Sequence, residues 1–301
     1  MNRPDLRDPN CKLYVVCTYV SVAVILAVSV ISLAYFIALA PSEAHTLNEG
    51  TDPVGYETPI VCGIVYFVCL ALLIRDFLRR MKNAPSEEKD TRLMRAPLSK
   101  AGILMAVTAL TTFVVIGVSY LVGEAISESF LSKYSTYAVM ALMISAGPEE
   151  EFLTRALCIG LPVFIVCLIK HQGSAKDILG GFGMSKVALV FLVISSVIFG
   201  FLHLEGWSIM KFPDTFISGM LFGYVYIQYG IHASIVMHSA FDLLATYDMF
   251  YDGMGTYPLI VLSVLGAILL VRSLLKIREY IPENNLHEPF EGGLIEMWER
   301  D

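Results

Sequence analysis

Glu149, Glu150 and Glu151 stand in a row, and Arg155 follows four residues after the last of them. No charge precedes them from 134 to 148, and 152–169 carries only Arg155. An ionised side chain at membrane depth costs on the order of 3 kcal/mol, so carboxylates in such a run are retained for a purpose. Arg155 shares a helix face with Glu151 at i,i+4 and can pair with it. Glu150 points about 100° away and stays outside that pair. One anchored carboxylate beside a free one suits a general base. The competing reading is a helix N-terminus at Pro148, where proline fits the first turn and glutamates complement the dipole. That reading leaves Arg155, one turn deeper, unexplained.

Two histidines lie in similar surroundings. His203 closes the apolar run 197–203 with Phe199 one turn before it, and His238 sits in 235–242 with Asp242 one turn after it. A lone histidine in a buried helix is usually a hydrogen-bonded packing residue, but here two accompany a buried Asp and the glutamates. A carboxylate and two imidazoles in a membrane cavity support water activation for amide hydrolysis, with Glu as base, His as partner and a polar group opposing the oxyanion. The same residue types serve a proton or ion relay in a transporter. Zinc binding is a third chemistry, ranked lower because no HExxH is present and the ligands come from three separate helices. His45, His171, His232 and His287 lie in loops, in the tail or near a span end, and carry no assigned role.

The elements that position these groups read as membrane helices. Of 301 residues 56% are hydrophobic and 16% charged, and mean hydropathy is +0.65; soluble domains carry roughly 25% charge. A net charge of −7 leaves no basic surface for nucleic acid. The six cysteines form no CxxC pair, so neither a zinc ribbon nor a disulfide framework is indicated. Charge-poor segments occur at 13–40, about 57–74, 101–123, 134–169, 186–203, about 213–230, 231–247 and about 257–275. This predicts an all-α polytopic membrane protein with about eight transmembrane helices around an intramembrane polar cavity. The first segment reads as a retained span, being about twice the roughly 7–15 residues of a signal-peptide core. Segment 134–169 would extend roughly 54 Å as one helix, so Gly147-Pro148 is expected to break it.

Loop charges orient the chain. Segment 75–100 carries eight Lys and Arg, from Arg75 to Lys100, whereas 41–56 has none. With eight spans, both termini and 75–100 are expected in the cytoplasm. The chain divides into 1–100 (two spans and a basic cytoplasmic loop), a core at 101–275 and an acidic tail at 276–301. Within the core, Gly219-Met220-Leu221-Phe222-Gly223 is a GxxxG, expected to pack spans inside the molecule.

Taken in order, these residues resemble the CPBP family of CAAX prenyl endopeptidases and bacteriocin-processing or self-immunity proteins, also called ABI-type intramembrane proteases. Glu150-Glu151-x-x-x-Arg155, Phe199-x-x-x-His203 and His238-x-x-x-Asp242 match its three motifs, and Gly223-Tyr224-Val225-Tyr226 with Tyr229-Gly230 matches the usual approach to the third. The resemblance covers roughly 100–275. It implies glutamate-dependent proteolysis within the membrane, with no metal and no other cofactor. Glu150 with His203 would activate water, His238 and residue 242 would steady the oxyanion, and Glu151, Arg155 and Phe199 would support the site. The implied partners are a membrane-anchored protein or peptide substrate and the lipid bilayer. Asp242 stands where the prenyl-protein processors carry Asn. An ionised Asp accepts but cannot donate, so it would orient His238 as a charged partner, or donate if burial keeps it protonated. The alternatives are a scaffold or immunity-type protein that keeps the fold, and a transporter.

Overall fold

The computed structural model describes residues 9–43, 57–83, 89–124, 134–169, 174–205, 207–249 and 252–280. The tail beyond 280, most of loop 41–56, Lys170, His45, His171 and His287 lie outside the described residues. Helices run over α1 Pro9–Glu43, α2 Glu57–Asn83, α3 Lys89–Met94, α4 Pro97–Val122 and α5 Thr136–Glu151. They continue with α6 Leu161–Ile169, α7 Lys186–Leu202, α8 Lys211–Tyr229, α9 Ile231–Thr246 and α10 Thr256–Tyr280. Each of the eight apolar segments coincides with a helix, and the fold is all-helical among the described residues.

Among the described residues, four stretches are long and apolar enough to cross a bilayer: Lys12–Ile37, Thr58–Asn83, Pro97–Val122 and Thr136–Ile169. Lys186–Leu202 and Thr256–Arg272 are apolar but shorter. These helices make the chain an integral membrane protein. Large apolar side chains such as Ile60, Ile64 and Val68 on α2 and Val190, Ile194 and Phe201 on α7 are exposed, as helices facing hydrocarbon require. α8 and α9 are less apolar because they carry Asp214, Ser218, Ser234, His238, Ser239 and Asp242. Their polar groups turn inwards instead. Every residue from Ala233 to Ala240 is buried, because α9 is surrounded by α1, α2, α4, α5 and α8.

Two expectations are corrected. The long apolar segment does not break at Gly147-Pro148: α5 continues through Pro148 to Glu151. The irregularity falls one turn later, as a π-helical stretch at Phe152–Gly160 that closes with Leu161 N–H bonded to Ala156 O. Packing of α5 along α9 outweighs the local cost of proline, and the widened turns begin only at Phe152. The glutamates therefore sit inside a helix and cap nothing. Second, Arg75, Arg79, Arg80 and Lys82 belong to the last turns of α2 rather than to a loop.

Close approaches set the helix spacing. Gly230 (φ +92°) is the single residue between α8 and α9 and receives no Cβ penalty there. The GxxxG packs within the molecule, Gly219 against Ser196 and Phe199 of α7 and Gly223 against Leu192 and Ile159. Gly147 lies against Ser239, where a Cβ has no room. Gly147→Val is expected to destabilise by about 1–3 kcal/mol, the usual range for overpacking. Thermal unfolding in detergent measures this, with Gly117→Ala, which meets nothing within 4 Å, expected to leave the midpoint in place.

Candidate active site

Arg155 heads the fully buried side chains by size, and Glu151 beside it is also without exposure. A bare charge in such a place costs several kcal/mol, so each must find partners. Arg155 Nε lies 3.4 Å from Glu151 Oε2. Its Nη1 donates to Ser195 Oγ at 2.9 Å, and that hydroxyl donates to the Thr154 carbonyl. The guanidinium also covers the Phe199 ring at 4.8 Å, a cation–π contact. Glu151 completes its own set on α9: Oε1 accepts from His238 Nδ1 at 2.8 Å, and Oε2 meets the Ser234 hydroxyl.

His238 is thereby fixed in position and plane. Phe222 stacks on it with centroids 4.4 Å apart, and Phe199 meets it edge-on at 5.7 Å. Its Nε2 lies 3.3 Å from Asp242 Oδ2 and 3.8 Å from Glu150 Oε2. Carboxylate oxygens thus face both ring nitrogens, a setting that calls for a donor at each.

His203, at the C-terminus of α7, is held differently. Its Nδ1 donates to the Phe199 carbonyl at 2.8 Å. That leaves Nε2 as the acceptor of the neutral ring, and it faces Glu150 Oε2 at 3.8 Å. Glu150 Oε2 itself is buried with no hydrogen-bond partner among the described residues, equally far from the two Nε2 atoms. The three glutamates diverge as the helix turns: Glu149 points towards α2, with Oε1 3.9 Å from Cys62 Sγ.

Glu150, His203, His238 and Asp242 line one cavity of about 590 Å³, whose apolar walls include Leu142, Met143, Phe199 and Phe222. All seven residues singled out in the sequence lie at this cavity or in direct contact with its walls. Among the described residues, no three His, Cys, Asp or Glu side chains converge as metal ligands.

Sequence reasoning missed several participants. Ser195 and Ser234 stand one turn before Phe199 and His238 on the same faces, a periodicity that could have flagged them. Lys211 in the first turn of α8 donates to Asp214 Oδ2 at 2.8 Å and lies 4.7 Å from the Trp207 ring. Thr112 of α4 donates to Asp214 Oδ1 at 2.6 Å. This second polar cluster shares the cavity; its i,i+3 spacing was a signal, but the partner on α4 was not readable. Nothing local links Phe222 to His238.

Residues 132–244 match the family described as type II CAAX prenyl endopeptidase Rce1-like. No curated protein and no solved structure matches the chain. The matched segment contains Glu150, Glu151, Arg155, Phe199, His203, His238 and Asp242, and the resemblance read from the three motifs is borne out over it.

The Arg155–Glu151 pair generates a stability prediction. Arg155→Met or Glu151→Gln alone strands a buried partner and is expected to cost about 3–5 kcal/mol. The double variant is expected to cost clearly less than the sum of the two. Equilibrium unfolding of the four proteins in detergent completes the cycle, and additive losses would mean that the pair is not coupled.

Proposed function

From the family of the central segment and the side chains gathered at its cavity, we propose that the protein is an intramembrane endopeptidase. It hydrolyses a peptide bond of a membrane-associated protein, a prenylated CAAX protein being one such substrate, with water activated by Glu150 and His203. The observation that carries this reading is Glu150 Oε2, buried, without a hydrogen-bond partner among the described residues, and 3.8 Å from two imidazole nitrogens.

Glu150 Oε2 and His203 Nε2 are both acceptors, so a water between them donates one hydrogen to each. Its lone pair then points away from both, towards the cavity. As the oxygen adds to the scissile carbonyl carbon, its proton passes to Glu150. Negative charge develops on the carbonyl oxygen, and the fixed His238 Nε2–H, on the other side of Glu150, donates to it in place of Asp242. The 3.3 Å contact with Asp242 is long enough to yield. Asp242 keeps the ring charged and correctly aimed, the orienting role rather than the donating one. Collapse of the tetrahedral intermediate breaks the C–N bond, and Glu150 returns its proton to the leaving amine.

Glu151 and Arg155 touch no reacting atom. They position His238 through Nδ1. The apolar walls accommodate hydrophobic side chains or an acyl-like chain. We further infer from the basic residues of 75–100 that both termini face the cytoplasm, with about eight helices spanning the bilayer.

Cleavage of a membrane-anchored reporter by purified protein in vesicles tests this. Glu150→Gln, His203→Ala and His238→Ala are each expected to lower kcat at least about 10²-fold. Variants as active as the wild type sink the mechanism. Asp242→Asn removes the charge while keeping the shape, and is expected to lower kcat with little change in KM. Unchanged or raised activity would assign residue 242 to the oxyanion instead.

A further inference from the structure

The end of α2 carries a pocket that the hydrolytic cavity does not use. It encloses about 470 Å³ and is lined by Asp76, Arg79, Arg80, Asn83, Arg92 and Arg95. Three pieces of chain meet there: the last two turns of α2, the short helix α3 and Arg95 just beyond it. Arg79 and Arg95 bring two guanidinium groups to one space, and these repel each other unless something negative sits between them. Among the described lining residues Asp76 is the one acid, and its Oδ2 accepts from Arg80 Nε at 2.6 Å. Arg92 Nη1 donates to the Asn83 carbonyl at 3.3 Å. Among the described residues no carboxylate is paired with Arg79 or Arg95. Asp90, the nearest acid on α3, is taken by the Tyr19 hydroxyl at 2.8 Å. Across 75–100 as a whole, eight Lys and Arg face four Asp and Glu, a net of four positive charges.

The ligand chemistry follows from the donors. Guanidinium forks match the oxygens of a phosphate in pairs and stay charged at any working pH. Whether that phosphate belongs to a lipid or is free in solution is decided by what lies next to the pocket. Ile64, Val68 and Leu72 are exposed on one face of α2, and the spacing continues to Arg75 and Arg79 on the same face. The hydrocarbon-facing stripe of this span therefore runs straight into the arginine pocket. From Val68 to Arg79 the helix rises about 16 Å, close to the thickness of one leaflet's hydrocarbon, about 15 Å. An acyl chain lying on that stripe delivers its headgroup to the pocket.

We propose that Arg79, Arg80 and Arg95 form a binding site for the phosphate headgroup of an anionic phospholipid whose chains lie along α2. The site is separate from the hydrolytic reading and holds whatever the cavity does. It also has a structural consequence, because α2 packs on α5 and α9, the helices that carry Glu150 and His238. A lipid clamping α2 to the turn after α3 therefore steadies the wall behind the cavity.

Native mass spectrometry and thermal unfolding of the full chain, delipidated in detergent, test the assignment. Phosphatidylglycerol, phosphatidylcholine and inorganic phosphate are added separately. Phosphatidylglycerol is expected to be retained and to raise the unfolding midpoint, with phosphatidylcholine and inorganic phosphate doing neither. Arg79→Gln/Arg95→Gln is expected to weaken phosphatidylglycerol binding at least about tenfold, the loss of one charge-assisted hydrogen bond or more. Arg75→Gln, on the same face but outside the pocket, is expected to bind as the wild type does. Equal retention of phosphatidylcholine, or unchanged binding by the double variant, overturns the site. A midpoint shift reproduced by inorganic phosphate alone overturns the lipid and leaves a soluble anion. Because these readouts need no substrate, failure here is distinguishable from failure of the protease reading.

Discussion

A guanidinium with no exposure cannot stand alone in an apolar bundle, and Arg155 is the largest side chain so buried here. Its neutralisation organises what surrounds it. Glu151 must be ionised to pair with it, and an ionised Glu151 must in turn have its oxygens satisfied, which Ser234 and His238 of α9 do. The bond to Nδ1 then dictates which nitrogen of His238 faces the cavity. Ser195 ties the same arginine to α7, the helix that ends in His203. One buried charge thus fixes the π-helical stretch, α7 and α9 relative to each other, and both imidazoles follow. Replacing such a network with apolar groups often costs nothing in stability, so its retention is better understood as specificity of geometry.

The helix backbone makes room for that network. Gly223 lets α8 approach closely enough that a Cβ would stand 3.3 Å from Ile159 and 3.7 Å from Arg155 Cδ. The π-helical widening at Phe152–Gly160 alters the register of the residues carried with Arg155, and such widenings recur at functional sites. Carrying α5 unbroken past Pro148 keeps Glu150 on a rigid helix packed against α9.

The cavity is lopsided in charge. Glu149, Glu150, Asp214 and Asp242 line it against Lys211 as the fixed cation. Two of these carboxylates face histidines and a third is bonded to the lysine, so most of the apparent excess is spent internally. What remains open to a guest is the apolar wall and the Glu150–His203 edge. α2 lies outside the matched segment yet touches the cavity rim through Cys62 and Glu149. Its far end carries the arginine pocket, so the helix joins that pocket to the wall of the cavity.

Much of the chemistry was legible because it rests on local spacing. Phe199 and His203, and His238 and Asp242, each share a helix face whatever the tertiary fold, Glu151 and Arg155 meet at i,i+4 although Arg155 lies in the π-helical stretch, and the apolar runs identified the helices that carry them. Helix boundaries were less legible. Proline at 148 has a strong local preference for ending a helix, and that preference was overridden by contacts with α9 that no window of sequence contains. The basic residues of α2 looked like a loop because hydropathy marks where hydrocarbon ends rather than where hydrogen bonding ends. Phe222 stacking on His238, Thr112 reaching Asp214 and the gathering of four arginines at one pocket were not readable at all, since each joins residues from helices whose rotation and depth depend on the packing of the whole bundle. By itself the sequence determined which side chains share a helix face, because a 3.6-residue period is a property of the backbone. Only the tertiary structure decided which faces meet, because that depends on how buried charges and close glycine contacts are satisfied together.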